Sequence, residues 1–200
     1  YLIRHGARVT IFFSCNRDFA EISRNCKIVG VRPYNILPTR LRFAFYETYA
    51  SSLKVWRKLK REDPFDIIHA HSRNCFFHAL FRDKTPFIMN FHGTKLGYYH
   101  RVYGPTARIL KSPRTYTLFL PSQVAAKKCD LAIACSNAVK DELIDFYGVN
   151  RAKIRVIYNG VDIYKFRPFD KREARKTLGL PEDKNYAIWV GTNPTLKGLS

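Results

Sequence analysis

Seven short apolar runs punctuate the chain, at residues 8–13, 26–31, 65–70, 86–91, 130–135, 153–158 and 186–191, and they constrain the fold more than any other feature. Most are nearly continuous in apolar character rather than alternating. A strand that is apolar on both faces has to be covered on both faces, which is the pattern of a parallel sheet flanked by helices. Helical segments lie between the runs, so the sequence predicts a doubly wound α/β sheet.

The helical segments carry their own start and stop signals. Residues 138–147 are expected as a helix capped by Ser136 or Asn137 and stopped by Gly148, and residues 171–178 as one capped by Asp170 and stopped by Gly179 ahead of Pro181. The longest predicted helix, residues 40–62, sets Phe45, Tyr49, Leu53, Trp56 and Leu59 on one stripe, with Lys54, Arg57, Lys58, Lys60 and Arg61 opposite. Residues 97–119 break the rhythm: rich in tyrosine and basic residues, with Pro105 and Pro113, they read as an irregular excursion with a functional or mobile character. From Asn159 the chain leaves the strand series through NGVDIYKFRPF, a turn signal at its start. A domain boundary is therefore expected near Asp162, dividing the chain into residues 1–162 and 163–200, the second piece being only the opening of another α/β unit.

Charge narrows the partners without choosing among them. Lysine and arginine number 35 against 16 acids, a formal net charge of +19. Nucleic acid, an anionic membrane face and phosphorylated sugars are the polyanions such a chain tolerates or requires. The basic residues are spread along the chain, and no zinc-finger, RNP or helix-turn-helix signature accompanies them. Five cysteines form no CxxC pair, and three of them sit in apolar runs as buried thiols do, which points to a reduced, cytoplasmic setting. No apolar run approaches the roughly 18 residues that a membrane-spanning helix requires. The opening YLIRHGARVTIFF reads as the end of a helix running into a strand, so sequence is expected beyond both ends.

Five segments in order carry a family resemblance: DIIHAHS at residues 66–72, FIMNFHGT at 87–94, CDLAIACSNAVKDELIDFYGV at 129–149, KIRVIYNGVDIYKFRP at 153–168 and LGLPEDKNYAIWVGTNPTLKG at 178–198. Together they resemble the retaining GT-B glycosyltransferases of the family 4 type, the group of glycogen synthases and bacterial mannosyl- and glucosyltransferases. The resemblance implies two Rossmann-like domains, the first binding an acceptor and the second a nucleotide diphosphate sugar. It implies transfer of a hexose, with retention, to a lipid-linked or saccharide acceptor, with no metal and no cofactor apart from the donor substrate.

On this resemblance His92 matches the histidine beside the transferred sugar, and an imidazole can both donate and accept a hydrogen bond there. His71, Gly93 and Ser136 are expected on the acceptor side; His71, His92 and Ser136 each follow a predicted strand, and ligands in such sheets sit beyond the strands' carboxyl ends. Gly191, Thr192, Lys197 and Gly198 correspond to the donor diphosphate clamp, in which Lys197 supplies a point charge. The family's arginine position holds Thr192, so one of two cationic contacts is replaced by a hydroxyl. The family's pair of glutamates would lie after Ser200, and the chain alone is expected not to transfer sugar. His69 and His71, two apart in a strand, share a face, but no carboxylate or cysteine cluster accompanies them and they are expected to hold no metal. The basic face of residues 40–61 and the segment 97–119 are the candidates for touching an anionic membrane or the acceptor. The alternative function is a non-catalytic basic binding module, for membrane or nucleic acid, on the same fold.

Overall fold

The structure, a computed structural model, describes residues 2–33, 44–71, 75–104 and 113–191, with backbone alone for 44–47 and 113–115. The chain divides into two compact units, residues 1–158 and 159–200.

The first unit is α/β with Rossmann-like parallel strands. Strands β1 (Val9–Ser14), β2 (Phe19–Ser23) and β3 (Cys26–Val31) form a sheet in the order β1-β3-β2. Strands β4 (Ile68–Ala70), β5 (Phe87–Phe91), β6 (Leu131–Ala134) and β7 (Ile154–Val156) form a second sheet in sequence order, all parallel. Six of the seven apolar runs are therefore strands. In β5 the side chains of Phe87, Met89 and Phe91 are buried and alternate with half-buried Ile88 and Asn90. Those three pack in one core with Ala132, Ala134 and Leu143.

Strand β2 is an addition to the sequence reading. It runs antiparallel to β3, joined by the two-residue turn Arg24–Asn25, in which Arg24 takes a left-handed φ of 40°. Two-residue hairpins need positive φ, for which glycine is the usual signal. Here the turn has no glycine, and FAEIS with its exposed Glu21 lacks the apolar run by which the other strands announce themselves.

Helix α1 (Ala44–Leu59) packs against both β1 and β3 and against α2 (Phe76–Leu80). Its most buried residues are small ones, Thr48, Ala50, Ser51 and Ser52. The expected aromatic stripe lies at the margin of that contact, where the Tyr49 ring meets Phe76 edge-on at 5.0 Å and Trp56 lies 5.5 Å from Phe81. On the basic face Lys54 and Lys58 pair with Asp18 at 2.5 and 3.2 Å, and Lys60 pairs with Asp83 at 2.6 Å. Three of the five cations expected to face an anionic surface are thus engaged by carboxylates of the same chain.

The stretch 97–119 is helical over its described parts, which corrects the expectation of an irregular excursion. Helix α3 spans Lys95–Tyr103 and helix α4 spans Pro113–Lys128. Pro113 takes the first helical position, where its missing N–H costs nothing. Pro121 lies inside α4, a position that disfavours a helix by about 3 kcal/mol. Its side chain is fully buried, so tertiary packing overrides the local preference. Helix α5 (Asn137–Asp145) begins at its expected cap, Ser136 Oγ accepting from the Val139 amide at 3.2 Å. No described helix is long and apolar enough to cross a membrane.

In the second unit, helix α6 (Lys171–Leu178) is capped by Asp170, whose Oδ1 accepts from the amides of Arg172 and Glu173 at 2.9 Å, and it stops at Gly179. Asp162 Oδ1 accepts from the amides of Tyr164 and Lys165, closing the turn that the NGVD signal announces. The strand expected at residues 186–191 is not formed. A strand is stable only when its backbone groups are paired, and among the described residues of this unit no other segment pairs with it.

Candidate functional site

Because β4 to β7 are parallel, the residues that follow β4, β5 and β6 emerge at one edge of the sheet. His71 follows β4, His92 follows β5, and Ser136 comes two residues after the end of β6. Two of the three converge. The rings of His71 and His92 lie 6.1 Å apart and nearly parallel, at 19°, and the His69 ring lies 4.4 Å from that of His71, tilted by 36°. Burial, followed by the neighbouring His71, holds the His69 imidazole below its ordinary pKa. His92 Nε2 lies 3.1 Å from Asn90 Nδ2.

His71, His92 and Gly93 line a cavity of about 200 Å³ with Asn90, Lys95 and Ser122, and among the described residues no carboxylate is part of its wall. Gly93 takes φ +155°, a backbone setting that side-chain-bearing residues rarely adopt, and open space surrounds the position of a Cβ. Glycine is needed there for the turn and not for close packing. Ser136 is placed differently: its hydroxyl oxygen caps α5, and it is not part of this cavity wall. Of the residues expected at the donor diphosphate, Gly191 is exposed in the second unit, while Thr192, Lys197 and Gly198 lie outside the described residues.

Behind the histidine turn is a polar lock that the sequence reading missed. Thr94 caps α3, its Oγ1 accepting from the Gly97 amide at 2.9 Å, and the same hydroxyl donates to Glu142 Oε2 at 2.8 Å. The Thr94 amide donates to that oxygen at 3.0 Å, Arg101 Nη1 donates to Glu142 Oε1, and the Lys95 amide donates to Tyr147 Oη at 3.2 Å. Three of the amides at the start of α3 are therefore satisfied by protein groups, leaving them unavailable to an anion. Gly97 is glycine because of close approach: a Cβ there would fall within 3.0 Å of the Glu142 carboxylate. One signal could have revealed the lock. Val139, Glu142, Leu143 and Phe146 share the inward stripe of α5, and an acid in a buried stripe requires partners.

A larger cavity of about 320 Å³ lies between α3 and α5, lined by His100, Arg101, Asp141, Glu142, Asp145 and Phe146 among others. Gly97, His100 and Arg101 bring the expected contact segment 97–119 to it, but none of the expected catalytic, donor or acceptor-side residues lines it, and the His100 ring stacks on Phe146 at 4.5 Å in its wall. The chemistry of a histidine turn at the carboxyl ends of parallel strands belongs to the smaller one.

Comparison with known proteins bears on the fold and the family. The sucrose-phosphate synthase of Thermosynechococcus elongatus superposes with a TM-score of 0.62 at 17% identity, covering 91% of this chain and 45% of that one, which is a likeness of fold. D-inositol 3-phosphate glycosyltransferase 2 of Catenulispora acidiphila is 29% identical over 136 residues, 66% of this chain and 31% of that protein. An uncharacterised glycosyltransferase of Methanocaldococcus jannaschii is 22% identical over 207 aligned positions, 99% of this chain and 50% of that protein. The chain thus spans half the length of these curated relatives or less. Residues 1–165 match the family described as Glycosyltransferase Family 4, and the chain belongs to that family.

Proposed function

We propose that this chain is part of a retaining glycosyltransferase that moves a hexose from a nucleotide diphosphate sugar to a lipid-linked or saccharide acceptor. In this reading residues 1–162 form the acceptor-binding domain and residues 163–200 open the nucleotide-sugar domain. The observation that carries it is the cavity at the carboxyl ends of β4 and β5, lined by His71, His92 and Gly93 with no carboxylate among the described residues of its wall. A site built for a double displacement on a sugar offers a carboxylate nucleophile next to the anomeric carbon. This one offers imidazoles and Lys95. That set suits a reaction in which the bond to the leaving diphosphate breaks ahead of attack and the charge built up is met by fixed donors and cations. His92 is the catalytic residue in this scheme, and His71, Gly93 and Ser136 stand on the acceptor side. Gly191, Thr192, Lys197 and Gly198 form the donor diphosphate contacts, with Thr192 giving a hydroxyl where the family has a guanidinium. No metal takes part.

A binding module without chemistry is the rival reading, and the net charge of +19 is what favours it. A panel of UDP- and GDP-sugars offered to the full gene product separates the two. Hydrolysis or transfer from one donor supports the transferase. Absent turnover and absent nucleotide binding, together with salt-sensitive binding to DNA or anionic vesicles, would sink it.

A further inference from the structure

We propose that Asn90 is a positioning residue for His92, fixing the neutral imidazole as its Nδ1–H tautomer so that His92 meets the transferred group as a hydrogen-bond donor. This rests on the transferase reading for its consequence, though the tautomer itself does not.

The geometry begins with the strand. β5 alternates between the buried side chains of Phe87, Met89 and Phe91 and the half-buried Ile88 and Asn90. Successive residues of a strand face opposite sides, so Asn90 and His92, two apart, fall on the same side at the strand's end. Asn90 is backed by Ile133 of the neighbouring parallel strand, its partner in the register. Its amide nitrogen lies 3.1 Å from His92 Nε2, within hydrogen-bond range. The imidazole of His71 lies near-parallel to the ring at 6.1 Å.

An amide NH₂ only donates, and a neutral imidazole has one donor nitrogen and one acceptor nitrogen. If Asn90 Nδ2 donates, Nε2 of His92 must accept, and the proton resides on Nδ1. That arrangement reverses the intrinsic preference of a free imidazole, which favours the proton on Nε2. The mechanistic consequence is specific: Nδ1–H holds an oxygen of the sugar or phosphate, and His92 does not act as a base through either nitrogen, since Nε2 is occupied and Nδ1 is protonated. Asn90 does not touch the reacting atoms in this scheme. It acts through the histidine.

The test is nitrogen-detected NMR of the full gene product labelled with ¹⁵N-histidine, with His92→Gln identifying the His92 signals. The wild-type protein is expected to show Nδ1 protonated and Nε2 bare. In Asn90→Leu, which keeps the shape and removes the donor, the ratio should shift toward Nε2–H by at least fivefold. In Asn90→Asp, whose carboxylate only accepts, Nε2–H should dominate. Both variants should lower kcat at least tenfold, with KM for the donor changed by less than threefold. Unshifted signals of the other histidines report that the fold is intact, and Asn90→Asp serves if the leucine variant does not fold. A wild-type His92 protonated on Nε2, or a ratio unmoved in the variants, would overturn the assignment. Tautomers that shift as expected with undiminished kcat would overturn the positioning role. Absent turnover in the wild type refutes the transferase reading instead, and the tautomer measurement then still decides whether Asn90 fixes the ring.

Discussion

Replacing Gly97 by alanine should destabilise the protein, although alanine is the better helix former. Gly97 is the third residue of α3, and a Cβ on it would lie within 3.0 Å of the Cδ and both carboxylate oxygens of Glu142. The carboxylate has to move by about an ångström, and it is not free to do so without loss. Two hydrogen bonds from Thr94 end on Oε2, at 2.8 and 3.0 Å, in surroundings where Thr94 is 4% and Glu142 9% exposed. A buried hydrogen bond to a charged group contributes about 1.5–3 kcal/mol. The Arg101 contact adds at most about 1 kcal/mol because that guanidinium is 57% exposed. Against a loss of about 3–7 kcal/mol stands a gain of at most about 1 kcal/mol in helix propensity, so the expected net destabilisation is about 2–6 kcal/mol. Equilibrium denaturation measures it. A double-mutant cycle with Glu142→Ala supplies the sharper result: without the carboxylate, Gly97→Ala should become neutral or stabilising by about 0.5–1 kcal/mol. If alanine at position 97 costs the same with and without Glu142, the collision is not the cause and the lock is misread.

Three further outcomes are expected. His78 is 2% exposed and neither ring nitrogen has a partner among the described residues, so His78→Leu should raise stability by about 1–2 kcal/mol. Burial holds its pKa below 6.5, against a raising effect of Asp83 and a further lowering by Lys60 and Arg82. The unfolded chain therefore binds the extra proton, and stability, complete above pH ~6.5, falls with pH by up to about 1.4 kcal/mol per unit until the folded group titrates. His78→Leu should flatten that slope between pH 6.5 and 5.5 in denaturation curves, and an unchanged slope refutes the assignment. His92→Ala should lower transfer at least tenfold while the melting temperature stays put, His92 being exposed; equal turnover returns that ring to a structural role. Ser136→Ala should cost about 1 kcal/mol through loss of the α5 cap, and Ser136→Asp should restore it. Equal losses in the two variants would show that the hydroxyl acts elsewhere.

The parts of the fold that were legible are those whose local preference and global role agree. β3 begins and ends at its apolar run, α6 runs between the expected Asp170 and Gly179, and Ser136 caps α5. Local signals failed where another force decided. β2 depends on a turn without glycine, and α4 continues through a buried Pro121 because its packing outweighs the missing hydrogen bond. The strand expected at 186–191 has apolar character but no partner among the described residues, and hydrogen-bond pairing is not a property of one segment. For the site, the histidine turn was readable because its residues follow strands in sequence. The lock was not, because Thr94, Gly97 and Glu142 are brought together only by the packing of α3 against α5.

That lock also bears on how the cavity keeps its charge. Asp18, Glu62, Asp83, Asp130 and Glu142 each form an ion pair with a lysine or arginine. Lys54, through its hydrogen bond, pulls the Asp18 carboxyl down to about 2, and Arg82 likewise lowers that of Asp130. Asp18 and Asp130 therefore stay ionised to lower pH than ordinary carboxyls, and none of the five acids lines the cavity that holds His71, His92 and Lys95. Two unit charges 4 Å apart interact by about 4 kcal/mol at an effective dielectric of 20. A single carboxylate in that wall would therefore offset most of the attraction that one cation there exerts on a phosphate. Tied to Thr94 and Arg101, Glu142 anchors the start of the helix that follows His92 and is not part of that wall.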